Sequence, residues 1–443
     1  MRTTADDVGR ESPQPSRMSI TRISVYFLTL AICVPTDLNI SAINERPLLV
    51  PFATFLVLLV WIVLQRGRLV AVHGALGLIW RALILFIAVT VLSALIHPNA
   101  AASMAVLGAY VDRFVMLFVL VQIMALDYQL IVRVQHLLAS ILAVVALLMI
   151  SNIFGVFGGL QQFTKVAGRL VNRDVSGLGD PNFTALIFNI GLAMALAWFA
   201  TAESRWRRVM ATVVALLLMA GVAKTVSIGG LVGLVVVLVL GFWRIARFAS
   251  HRRWGVTLLT VGLLAAIVAM AGSFYSLRIQ QQIAASEQSV GNFGSSRLNL
   301  SIGGLRMIAA NPLLGVGLSN VAEYMPQYLL FPIYNPQQGA HDCFISVMAE
   351  SGIPSFLLLG FVGIMLFKLV VRTQRHLKKT GNRYWYLIGE GTWIALLATL
   401  VQALALETQR EPTVWLTVAL ALSLATKVQY DQTLSSRLDL LSS

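Results

Sequence analysis

Apolar runs of about 17–25 residues follow one another along this chain, parted by short polar segments, and that succession limits what it can fold into. A bilayer's hydrocarbon core of about 30 Å takes roughly 20 helical residues, so each run suits one crossing. Backbone amides in lipid must be satisfied within the chain, which makes the runs helices. Twelve spans are expected, near residues 23–41, 47–64, 81–97, 101–126, 134–157, 183–202, 207–223, 229–246, 255–274, 344–370, 385–406 and 413–428. The first is the weakest, because Pro35 and Asp37 interrupt its end. The residues are 58% hydrophobic and 12% charged, with a mean hydropathy of +0.79, too little polar surface for a water-soluble fold of 443 residues. The expected fold class is an all-α polytopic membrane protein of about 12 transmembrane helices, with one long, partly helical loop on the outer side.

A net charge of +14 resembles a nucleic-acid signature, but in a polytopic chain basic residues collect in cytoplasmic loops and set orientation. With the N-terminus in the cytoplasm, about 23 of the 33 lysines and arginines fall on that side, among them Arg205, Arg207, Arg208 and the run from Lys368 to Arg383. An even span number returns the C-terminus to the same side. The expected organisation is a tail at 1–22, spans 1–9 over 23–274, an outer loop at 275–343, spans 10–12 over 344–428 and a tail at 429–443. Residues 1–22 are polar and read as no signal peptide. Cys33 and Cys343 sit in or beside apolar runs and read as small buried residues, not as a disulfide or metal pair.

The outer side carries few basic residues: Arg46, Lys165, Arg169, Arg173, Lys224, Arg278, Arg297, Arg306 and Arg410, with Arg113 inside a span. Most gather in a segment of about 25 residues, 158–182, and in the loop of about 70, 275–343; loops so long in a compact domain usually carry function. Within the second, "SSRLNLSIGGLRMIAANPLLGVG" has helical spacing, with Ser295 or Ser296 as a cap and Asn311-Pro312 as the stop. Arg297 in the first turn would add a guanidinium to free amides, a good phosphate grip. Arg306, nine residues on, falls half a circle round the helix. A single interfacial arginine more often snorkels to headgroups, but the clustering weighs against that for the group. His341 ends this loop and opens a span; a lone interfacial histidine more often caps or packs, yet here a rigid element would hold an imidazole able to take a proton. Asp342, its neighbour, is not read as a dyad partner. Glu350, about 13 Å deeper, reads as a buried packing carboxyl. Asp174, Asp180 and Asp342 are scattered, and no paired oxygen ligands suggest a metal. Cations for an anion plus one base suit displacement of a phosphate-type leaving group by a hydroxyl.

Three stretches resemble the O-antigen ligase and polymerase superfamily of bacterial inner-membrane enzymes. They are "NRDVSGLGDPNFTA" (172–185), "SSRLNLSIGGLRMIAANPLLGVGLSNVAEYMPQY" (295–328) and "AHDCFISVMAESGIPS" (340–355). The resemblance implies a metal-independent, cofactor-free glycosyltransferase whose donor is an undecaprenyl-pyrophosphate-linked glycan and whose site, at the long periplasmic loop, faces the periplasm. The acceptor would be a lipid A–core hydroxyl in a ligase, or another lipid-linked repeat in a polymerase. By motif, Arg297 would hold the pyrophosphate and His341 would be the acceptor's base or its positioning group. Arg173, Asp180 and Asn182 would line the cavity rim, and Lys224 and Arg306 complete the expected substrate-binding set. Two positions depart from the pattern. Ser227-Ile228-Gly229 stands where the family has Ser-Arg-Gly, so that Lys224, about one turn earlier, supplies charge without a bidentate grip. Asp342 stands where Asn is common.

A transporter or flippase would carry mid-depth charges and inverted repeats. Asp112-Arg113 is such a charge pair; adjacent residues point apart on a helix, so each is expected to pair with another span or line the cavity. No repeat is visible. A protein O-glycosyltransferase of the same superfamily would add a soluble C-terminal region, where this chain runs about fifteen residues past its last span. The absent arginine at 228 leaves a non-catalytic assembly partner open. Nothing suggests nucleic acid, a redox cofactor or a structural disulfide; the partners expected are membrane lipids, donor and acceptor.

Overall fold

A computed structural model of the protein describes residues 15–33, 49–65, 74–96, 100–151, 161–166, 169–174, 181–225, 227–245, 294–331, 339–404 and 406–442. The expected span at 255–274, and with it Arg46, His97, Asp180 and Arg278, lies outside the described residues. Helices occupy the described parts of the other expected spans. The first five are α1 (Pro15–Cys33), α2 (Leu49–Gln65), α3 (Ala75–Ile96), α4 (Ala100–Leu126) and α5 (Gln129–Ile150). After a hairpin of β1 (Gln161–Val166) and β2 (Arg169–Asp174) come α6 (Pro181–Thr201), α7 (Arg205–Lys224) and α8 (Ile228–Ile245). The long loop contributes α9 (Gly294–Ala310) and α10 (Val321–Tyr328), followed by α11 (Cys343–Lys379), α12 (Arg383–Ala403) and α13 (Pro412–Ser442).

By length and composition, seven of these helices suit a membrane crossing: α3, α4 from Val106, α5, α6, α7, α11 and α12. Shorter apolar helices lie at Ser19–Cys33, Leu49–Gln65, Gly229–Gly241 and Leu298–Ala310. The chain is a multi-pass helical membrane protein. The small antiparallel hairpin, which sets Gln162 opposite Arg173, adds to that fold class an element that the sequence reading treated as loop.

Packing follows from which helices are apolar all round. Helix α6 is buried on every face from Thr184 to Ala195 and packs on α5, α7, α8 and α12. Helices α2, α3 and α11 keep apolar residues such as Phe52, Phe55, Ile84 and Leu357 on the outside, as a lipid-facing surface does. Some buried polar groups link helices: Gln135 Nε2 on α5 donates to Thr392 Oγ1 on α12 at 2.6 Å.

Side-chain contacts sort the connections into two ends. At one, Arg22 of α1 pairs with Asp127 at the α4–α5 turn (2.6 Å), and Arg244 closing α8 pairs with Glu390 of α12 (2.7 Å). Lys427 of α13 stands over the rings of Tyr128 and Trp385 at the same end. At the other meet the α3–α4, α7–α8, α9–α10 and α12–α13 connections and the starts of α6 and α11. In α4, Arg113 folds back onto Asp112 and its Nε donates to the Arg410 carbonyl at 3.3 Å. Arg113 thus reaches another element, as expected, and also pairs with Asp112, which the expectation that the two point apart did not foresee; a guanidinium on a long stem can turn along its own helix to reach the preceding carboxylate.

Candidate active site

The site end is organised by a break in α11. Pro354 has no amide hydrogen, and Gly352 has a φ of 81°, a left-handed conformation that glycine adopts without cost. In an unbroken helix the amides of residues 353 and 354 would engage the carbonyls of Ala349 and Glu350. Instead Ile353 N donates to Pro312 O at 2.8 Å, and both carbonyls are left to the loop after α9. Val316 N donates to Ala349 O (2.8 Å) and Gly317 N to Glu350 O (3.0 Å). Ser93 Oγ of α3 donates to Leu314 O at 2.7 Å, and Ser103 Oγ of α4 to Leu318 O at 2.8 Å. Gly315, at φ 65°, lies so close to the Ala349–Glu350 backbone that no Cβ would fit. The stretches "NPLLGVG" and "ESGIP" are thus two halves of one joint, which seats α9 against α11.

His341 stands at the lip of that assembly. Asp342 caps α11, its Oδ1 accepting from Phe344 N (2.8 Å) and Ile345 N (2.9 Å). His341 just before it is exposed and has a φ of 53°, a non-glycine left-handed conformation of a kind that clusters at functional sites and costs on the order of 1 kcal/mol. Ala340 and Ile345 lie against Gly304 of α9. Position 297 is two turns earlier on α9, about 10 Å along the axis, in register with Gly304 and Ile308. The two residues expected to be catalytic therefore sit on adjoining elements. Arg306 is exposed on the same unbroken helix, half a circle from position 297 as expected.

Asn182 and Lys224 belong to the same end. Arg173 lies on β2. Asn182, in the first turn of α6, accepts through Oδ1 from Ser227 Oγ at 2.7 Å, and Ser227 Oγ in turn accepts from Gly230 N at 3.0 Å. Asn182 thus ties α6 to the start of α8, which Ile228 opens; Lys224 is exposed in the last turn of α7. One to two turns further in, Asn189 Nδ2 donates to Gly230 O, and Gly233 abuts Gln402 of α12. Helix α12 then leads into the connector that reaches α11.

That connector, between α12 and α13, holds residues the sequence reading did not select. Ser346 Oγ donates to Glu407 Oε1 at 2.9 Å. Arg410 pairs with Glu350 Oε1, which also accepts from Ser319 N at 3.1 Å. Glu350 is buried at 4% exposure, as expected, but is the anchor of an ion pair rather than a packing carboxyl alone. Burial, and then the neighbouring Glu350 charge, hold the Glu407 carboxyl above the usual range; burial does the same to Glu411. Against the pull of burial, the Glu350 carboxylate raises Arg410 and keeps it charged. The signal was present in "ETQRE" (407–411), three charges in a short connector.

Among the described residues no group of three or more His, Cys, Asp or Glu is placed to hold a metal ion. Cys33 and Cys343 are free and buried. The arrangement presents one exposed imidazole, that of His341, beside α9.

A family model described as O-antigen ligase matches residues 213–360, from within α7 past the break in α11, and takes in Lys224, Arg297, the α9–α10 loop and His341. None of the curated proteins matches the chain. The match implies a membrane glycosyltransferase-type enzyme with glycan and lipid substrates. Over this segment, about a third of its length, the chain is similar to the O-antigen ligase family.

Proposed function

We propose that the chain is an O-antigen ligase, moving a glycan from undecaprenyl pyrophosphate to a hydroxyl of lipid A–core at the periplasmic face of the bacterial inner membrane, without a metal. Both termini are then cytoplasmic. His341 takes the proton of the acceptor hydroxyl; the oxygen bonds to the glycan's anomeric carbon as the bond to pyrophosphate breaks. The charge that develops on the departing pyrophosphate falls to Arg297, with Lys224, Arg306 and Arg173 drawing the anionic carrier to this end and Asp180 and Asn182 at the rim. The observation that carries this reading is the placement of an exposed His341, next to the Asp342 cap of α11, beside the helix bearing Arg297. Ile228, where the family has Arg, favours a second reading as a polymerase of O-antigen or exopolysaccharide repeats.

The test is complementation of a deletion strain. His341→Ala is expected to abolish glycan transfer at unchanged membrane levels. Wild-type transfer by that variant would remove the enzymatic assignment and return the transporter reading. Loss of a ligase leaves bare core together with polymerised lipid-linked glycan, whereas loss of a polymerase leaves single repeats.

A further inference from the structure

Glu407 lies outside the matched segment, and no motif assigns it a role. It precedes the 3₁₀ turn Thr408–Arg410. Its Oε1, held by Ser346 Oγ one turn into α11, also lies against Gly339, where a Cβ would collide with it. Gly339 and Ser346 flank His341 in the chain, and His341 is near enough for its charge to act on the Glu407 carboxyl. We propose that Glu407 is the positioning residue for His341, its carboxylate fixing the imidazole and balancing the charge gained when that ring takes the acceptor's proton. The inference rests on the reading of His341 as the acceptor's base.

The neighbouring charges leave Glu407 to this task. Glu350 and Arg410 form their own pair, Arg113 is engaged with Asp112 and the Arg410 carbonyl, and Asp342 Oδ1 is taken up by the amides of α11. Tyr110 faces the Arg410 side of the group. His341 lies before the first turn of α11 with a non-helical backbone, so its own helix does not fix the ring; a group from another element has to. No bond beyond those of the transfer forms or breaks: the proton passes from acceptor hydroxyl to His341 and afterwards to water.

Charge and hydrogen bonding separate cleanly in one substitution. Glu407→Gln keeps the volume and still accepts from Ser346, but carries no charge; Glu407→Asp keeps the charge. Purified full-length chain in nanodiscs would be given lipid-linked glycan extracted from the deletion strain, with that strain's lipid A–core added, and release of undecaprenyl pyrophosphate followed. Glu407→Gln is expected to lower kcat about tenfold or more at unchanged KM for the lipid-linked glycan, with Glu407→Asp recovering most of the rate. Wild-type kcat in Glu407→Gln, or a loss in Glu407→Asp as deep as in Glu407→Gln, would overturn the proposal and leave a structural hydrogen bond. An active His341→Ala would instead remove the base itself, and this inference with it; a dead His341→Ala beside an active Glu407→Gln sinks the Glu407 role alone.

Discussion

At the scale of single residues, Asp342 gives the clearest separation of roles. Its Oδ1 caps α11, and Asn caps as well as Asp, so the departure from the family's common Asn changes a charge but not the cap. Asp342→Asn is therefore expected to leave stability and transfer near wild type, and Asp342→Ala to cost about 1 kcal/mol, read by thermal unfolding in detergent. Arg410→Ala should be far worse: it strands Glu350, 4% exposed, without its cation, at a cost on the order of 3 kcal/mol. Its measure is the drop in folded protein recovered from membranes. His341 and Arg297 stand out in sequence as candidates because each sits in a local pattern. Glu407 and Arg410 show in sequence only as charges in a short connector; their partners, Ser346 and Glu350, lie 61 and 60 residues away, and no spacing rule reaches that far.

Among the elements, the joint between the α9–α10 loop and the α11 break holds the site in shape. Gly352→Ala places a methyl group against the Leu313 backbone at a left-handed φ, and Gly315→Ala does the same against Ala349 and Glu350. Either change is expected to unseat α9 and abolish transfer while the bundle still inserts, which limited proteolysis of the α9–α10 region would report as new cleavage. Part of this joint is legible in sequence: α9 ends at Ala310, just before the Asn311-Pro312 stop, because a proline and a side-chain-bonding residue end helices for local reasons. That α9 opens at Gly294, ahead of Ser295, depends on the less decisive choice among neighbouring caps. The hairpin at 161–174 went unread, since apolar residues such as Phe163, Val166, Leu170 and Val171 alternate too briefly to announce strands.

For the whole molecule, the separation of ends was legible because a bilayer enforces it: apolar length sets the helices and basic residues mark one side. The packing order was not, since α6 gains its central place from partners that no periodicity identifies. With the basic end in the cytoplasm, a Cys-free chain carrying Arg306→Cys should react with an impermeant maleimide in spheroplasts, and one carrying Arg205→Cys only after the membrane is opened; both positions are exposed. The central claim is that one imidazole at the α11 lip drives transfer beside the α9 arginine. Its most direct measurement is glycan transfer by the purified chain in nanodiscs with chelator present, comparing wild type with His341→Ala. The account predicts product from the wild type and none from the variant, and equal product from both would contradict it.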